Sequence, residues 1–147
     1  MKVLSLLQPW ASLVVMGAKK YEVRSWQTAY RGPLLIHASA GKPTRREKAL
    51  FEQADYFKTY IQNMDLLPYG ALIGQVRLAN IYPTNWLLQN LEADHGHHWQ
   101  QEFAFDDYSP NRFAWQLVQP IPLAFNLPLK GTLGLWEYNG LFTLAQP

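Results

Sequence analysis

Alternation of apolar and polar residues recurs in short stretches along the chain, separated by turn residues and by two segments of helical period. Residues 2–7 (KVLSLL) read as a strand. Pro9 then suits a helix start, where its missing N–H costs nothing. Trp10, Leu13, Val14 and Gly17 follow at helical spacing, so a helix of about two turns is predicted over residues 9–16, with Gly17 as a left-handed stop. In KKYEVRSW, residues 19–26, Tyr21, Val23 and Ser25 alternate with Glu22, Arg24 and Trp26, the period of a strand. A neighbouring strand is predicted at residues 33–39, joined through the turn-rich YRGP.

Thr44-Arg45-Arg46-Glu47 fits a capping box opening a helix, with Leu50, Ala54, Phe57 and Ile61 as its apolar stripe. A long strand is expected over residues 71–81, with Gly74 marking a bulge or close backbone approach. Residues 84–91 read as a short helix capped by Thr84, and residues 94–110 as polar and irregular. Another strand begins at Phe113; the Pro-rich stretch after it predicts an edge or bent corner, and a last strand is expected over residues 135–138. Five or six short strands with two or three helices and no βαβ alternation predict an α+β fold, closed as a small, partly open β-barrel with flanking helices.

The length of 147 residues predicts one domain over residues 1–147. No stretch reaches the roughly 18 apolar residues of a membrane helix, so no membrane partner and a cytoplasmic location are expected. Absence of cysteine excludes disulfides, thiolate metal sites and thiol nucleophiles. Net charge is only +2, so the placement of basic residues matters more than their number.

That placement is uneven. If Tyr21 and Val23 face the core, then Glu22, Arg24 and Trp26 share the opposite face, with Lys19 and Lys20 at the helix-to-strand junction. A solvated strand face is the bland account; a Trp beside an Arg is also the composition of a base-stacking or phosphate-binding surface. Further basic residues stand at Arg31, Lys42, Arg45 and Arg46, the last two in a helix first turn suited to phosphate. His95-Gly96-His97-His98 lacks ligand spacing and reads as a polar loop, and His37 reads as a satisfied, semi-buried histidine. Asp106 and Asp107 read first as a turn and second as an acid/base pair.

LSLLQPWASLVVMGAKKYEVRSW, YRGPLLIHAS, ALIGQVRLANIYP, RFAWQLVQPIPL and LKGTLGLWEY, in that order, resemble the ASCH domain, a family named for homology to a transcription coactivator. The resemblance implies a PUA-like fold and a cleft between the first helix and the barrel that faces RNA or a nucleotide. It carries Lys19, Glu22 and Arg24 over as site residues, with Trp10 and Trp26 as cleft walls. One compact branch of the family removes acyl groups from a modified cytidine with a Lys, a Thr and a Glu. Lys19 matches that Lys, and Glu22 stands where the branch has its Thr. Other members bind nucleic acid.

The expected function is thus RNA binding with hydrolysis of RNA or of a modified nucleoside such as N4-acylcytidine. For RNA cleavage, Glu22 is the general base, Lys19 or Lys20 the acid or phosphate ligand, and Arg24 the transition-state stabiliser. Trp10, Lys20, Ser25, Trp26, Arg31, Lys42, Arg45 and Arg46 are the expected substrate contacts. No cofactor is required by the sequence and no metal ligand set is assigned. Should a divalent ion be needed, Glu22, the loop around Asp106 and the histidines at 95–98 come first. The rival reading is a non-catalytic RNA-binding module; a protein-interaction domain ranks third.

Overall fold

Val3 and Leu4 are fully buried, and they lie on strand β1 (Lys2–Leu6), which pairs in parallel with β3 (Gly32–Ala38). Parallel neighbours need a crossover. Here it consists of helix α1 (Trp10–Val15) and strand β2 (Tyr21–Arg24). The computed structural model describes residues 1–94 and 97–147. Strands β4 (Ala71–Pro83), β5 (Phe113–Pro128) and β6 (Leu135–Glu137) complete one six-stranded sheet, in the order β2-β5-β4-β3-β1-β6. The fold is mixed α+β: a sheet curled into a half-barrel, with helices flanking it.

Helix α1 is held at its start by Gln8, whose Oε1 accepts from the Ser12 N–H at 3.0 Å and whose Nε2 donates to Ser12 Oγ at 2.8 Å. Gly17, at φ +81°, ends it in the left-handed region that glycine enters without strain. Ala11 and Val14 pack with Leu34, Ile36, Val76 and Trp115 as the main core, and burial of these side chains is the principal force holding α1 to the sheet. Gly74 of β4 lets this contact form. A Cβ there would lie 2.6 Å from both γ-carbons of Val15. Gly74→Ala is therefore expected to cost about 1–3 kcal/mol by overpacking, and Val15→Ala in the same chain to restore part of it. Thermal melts of the three proteins check this; additive losses would show that the two positions do not clash.

Several expectations need correction. The capping box of α2 (Arg45–Gln53) is present, with Thr44 and Glu47 bonded reciprocally at 3.0 and 3.1 Å. The stripe predicted behind it is not. The chain breaks at Tyr56, φ +69°, before the one-turn α3 (Phe57–Tyr60), so Leu50 and Ala54 are exposed while Phe57 and Ile61 are buried. Thr84 opens α4 (Thr84–Leu88) but does not cap it; its hydroxyl donates to the Ser109 carbonyl at 2.9 Å. The supposedly irregular stretch contains α5 (Trp99–Phe105).

Finally, the Pro-rich stretch is the second half of β5, and of the two forms expected for it the edge is the one observed. Strand β2 covers β5 only at residues 113–116, and past it the described residues add a single bridge, Leu123 to Leu144, so Pro120 and Pro122 interrupt no pairing of β5 with β2.

Candidate functional site

Lys19 is the largest polar side chain in the interior, and its ammonium has no solvent exposure. It donates to Glu22 Oε1 at 2.9 Å, to Asp106 Oδ2 at 2.8 Å, and to the Tyr21 carbonyl. Such a charge is tolerable only when every donor is matched. Burial alone would lower its pKa; the carboxylates of Glu22, Asp106 and Glu102 outweigh that and raise it, so the ammonium stays charged.

The partners come from two directions. Glu22 belongs to β2, whose outer edge has no neighbouring strand among the described residues. Asp106 ends α5 and closes that edge, because its Oδ2 also accepts from the Val23 N–H at 2.8 Å. Its Oδ1 accepts from the Asp107 N–H at 2.9 Å, which leaves Asp106 engaged at both oxygens. Glu22 differs. Its Oε2 lies 3.4 Å from Arg24 Nε, near enough for an ion pair, while that Nε is not aligned for a hydrogen bond.

Glu22 and Arg24 stand on the wall of a cleft of about 1040 Å³. Arg24 is anchored by a 2.8 Å bond from its guanidinium to the Ser5 carbonyl, and its charge lies 5.7 Å from the centre of a Trp26 ring. Trp26 is half-buried rather than solvent-facing, since its ring packs edge-on against Trp115 at 4.9 Å. Opposing residues come from the helical side: Trp10, Phe51, Phe57 and Phe105. Trp10 is fixed by its indole N–H donating to the Phe105 carbonyl at 2.6 Å and by Phe51 edge-on at 5.2 Å.

Six of the residues expected at the site are thus gathered here. Trp10, Glu22, Arg24, Ser25 and Trp26 line the cleft, and Lys19 lies directly behind its wall. The roles of acid or phosphate ligand do not suit Lys19, which has neither exposure nor a free proton to place; it positions Glu22 and Asp106. The other basic residues are elsewhere. Lys20, Arg31, Lys42, Arg45 and Arg46 are exposed and do not line the cleft: Arg31 folds back onto the Thr28 and Tyr30 carbonyls, and Lys42 lies over Tyr69. Arg45 and Arg46 ride on the outward face of α2, which presents Phe51 inward.

Arg112 is the charged cleft residue that sequence reasoning missed, as it missed the phenylalanines of the opposing wall. Its Nε is buried with no hydrogen-bond partner among the described residues, and its terminal nitrogen reaches the Val23 carbonyl only at 3.5 Å, so the guanidinium keeps unused donors at the cleft wall. Pairing of Arg24 with Phe113 brings it here, a register invisible in the chain.

His95 and Gly96 of the His-rich run lie outside the described residues. His97 is buried, with its ring 4.7 Å from Trp99 and 5.5 Å from Tyr21, and faces Glu102 at 3.6 Å. Among the described residues, no three His, Asp or Glu side chains are grouped to hold a metal ion. No described helix is long and apolar enough to cross a membrane.

A cleft between the first helix and a half-barrel, walled by the QPWA and GxKxxExRxW residues, invites comparison with known families. The family model described as ASCH domain matches residues 4–127. This chain belongs to the ASCH domain family. Activating signal cointegrator 1 of Homo sapiens and that of Mus musculus are each 30% identical to this ASCH domain over 141 residues. The match covers 92% of this chain and 22% of either relative, so the domain spans about a fifth of their length. Among solved structures, an ASCH protein from Zymomonas mobilis superposes with a TM-score of 0.54 at 18% identity, covering 94% of this chain and 87% of that one. A mutant of the same Zymomonas protein gives 0.53 over the same shares. At that identity the likeness concerns the fold alone.

Proposed function

We propose that this ASCH domain binds single-stranded RNA in the Trp10–Trp26 cleft and cleaves it by attack of a 2′-hydroxyl on the adjacent phosphate. One observation carries the reading: Glu22 Oε2, which among the described residues makes no hydrogen bond and only the 3.4 Å ion pair with Arg24, faces a cleft that also holds two arginines. Lys19 uses the other oxygen of the same carboxylate and so fixes its direction.

In the proposed step, Glu22 Oε2 takes the proton of the 2′-hydroxyl as that oxygen bonds to phosphorus. The bond from phosphorus to the 5′-oxygen breaks, leaving a 2′,3′-cyclic phosphate on one fragment. The departing 5′-oxygen takes its proton from water in the open cleft. Arg24, held in place on the Ser5 carbonyl, and Arg112 beside it offset the charge that builds on the phosphoryl oxygens. Trp10 and Trp26 offer faces for neighbouring bases.

Hydrolysis of an acylated nucleoside would use the same carboxylate to activate water. The size and openness of the cleft and its two arginines favour a phosphate-bearing chain instead.

The test is incubation of the purified protein with mixed-sequence single-stranded RNA and, separately, with N4-acetylcytidine, both followed by chromatography. RNA fragments ending in cyclic phosphate are expected, with N4-acetylcytidine unchanged. On uncleavable 2′-O-methyl RNA, Arg24→Ala should weaken binding and flatten the log–log salt dependence by about 0.7, the share of one phosphate on a single strand. Free cytidine with intact RNA would replace this reading by nucleoside deacylation. RNA bound but uncut would leave a binding module.

A further inference from the structure

A second cleft of about 470 Å³ opens beside the first, over the loop of residues 129–134. Ser5, Ser39 and Leu133 line both clefts, so the two adjoin rather than lie on separate faces. Ser5 is the shared wall. Its carbonyl anchors Arg24 of the first cleft, while its N–H and hydroxyl hold the loop of the second, through the Gly134 carbonyl at 3.2 Å and the Thr132 carbonyl at 2.6 Å. Between the clefts this clamped loop leaves Leu133 95% exposed.

The chemistry of the second cleft suits binding rather than bond breaking. Its floor holds His37, whose Nε2 lies 2.7 Å from the Leu129 carbonyl and so carries the proton of that bond. Ser5 Oγ is 3.5 Å from His37 Nδ1, but it donates to Thr132 and accepts from the Trp136 indole at 2.9 Å. A hydroxyl so engaged is no nucleophile. The remaining polar side chains are the hydroxyls of Ser39 and Thr132 and Lys130, an exposed cation without an ion-pair partner among the described residues.

We infer that the second cleft is a subsite for the next nucleotide of the RNA chain, with Leu133 as an apolar wedge between successive bases and Lys130 at the following phosphate. This rests on the reading of the first cleft given above. Three features favour a chain as the occupant of both: their common wall, a first cleft that by itself already reaches the top of the roughly 300–1,000 Å³ range that a single small ligand fills, and a cation lining each. Apolar side chains placed between base steps are an established device of nucleic-acid binding proteins.

Titration calorimetry separates the outcomes. The probes are the four nucleoside 5′-monophosphates and mixed-sequence 2′-O-methyl tetranucleotides, which lack the attacking hydroxyl. The tetranucleotides are expected to bind at least about tenfold more tightly than the best mononucleotide, since the second contact is intramolecular. In Lys130→Glu and in Leu133→Ser, both at exposed positions, that ratio should fall several-fold toward one. Tetranucleotides no tighter than mononucleotides, or a ratio unmoved in both variants, would overturn the subsite while leaving the first cleft as the nucleotide site. Binding of neither probe class to the wild type would overturn both readings.

Discussion

Replacing Lys19 by methionine is expected to cost roughly 3–5 kcal/mol of folding stability and to lower Tm by roughly 10 °C. Methionine fills a similar volume, so the loss is electrostatic rather than a cavity effect. Removing the ammonium leaves Glu22 and Asp106 without their common cation, and it leaves the Tyr21 carbonyl without its donor. Adding Glu22→Gln and Asp106→Asn to Lys19→Met should recover much of the loss, because no uncompensated charge then remains. A Lys19→Met protein within about 1 kcal/mol of wild type would show that the triad is not a stabilising unit.

The same triad sets a dependence on pH. A folded-state pKa raised above the unfolded value means that Lys19 contributes fully below about pH 10.4, the unfolded value, and that its share is lost as pH rises through the folded one. Tyr21 and Tyr108, which burial also pushes up, lose stability in the same direction. The difference between wild type and Lys19→Met isolates the lysine: the gap between their stabilities should be constant near neutrality and shrink above pH 10.4.

Glu22→Gln is expected to lower turnover on RNA by about 10²–10⁴-fold while leaving RNA affinity within a few-fold of wild type. Glutamine keeps the shape, and its carbonyl oxygen still accepts from Lys19, but it cannot take a proton from a 2′-hydroxyl. The neighbouring carboxylate supplies the contrast. Asp106 spends its two oxygens on Lys19, the Val23 N–H and the Asp107 N–H, so Asp106→Asn should act mainly on stability, by loosening α5 from the edge of β2. Turnover retained within tenfold in Glu22→Gln would remove Glu22 as the base. An equal loss in both variants, with folding intact, would assign the chemistry to the pair.

Much of this protein can be read from its local patterns. Alternation placed β2, and the pairing of buried Tyr21 and Val23 with cleft-facing Glu22 and Arg24 follows from period two alone. The capping box of α2 and the stop at Gly17 are local chemistry, decided within four residues. The family was legible because LSLLQPWASLVVMGAKKYEVRSW and the four stretches after it are each contiguous in the chain and stand in the right order.

Long-range pairing decided the rest. Whether the Lys19 ammonium is a ligand or a buried strut depends on Asp106, 87 positions away, and on a helix that polar composition concealed. Arg112 reaches the cleft only through the register of β5 on β2, whereas Arg45 and Arg46, more conspicuous in sequence, turn outward because Phe51 is the residue of α2 that packs on Trp10. The physical reason is common to these cases. Dihedral preferences, capping and period act over one or two turns of chain and are written in neighbouring residues. The desolvation of an ammonium, the partner of an edge strand and the meeting of two clefts at Ser5 arise only when distant segments exclude water from the same place.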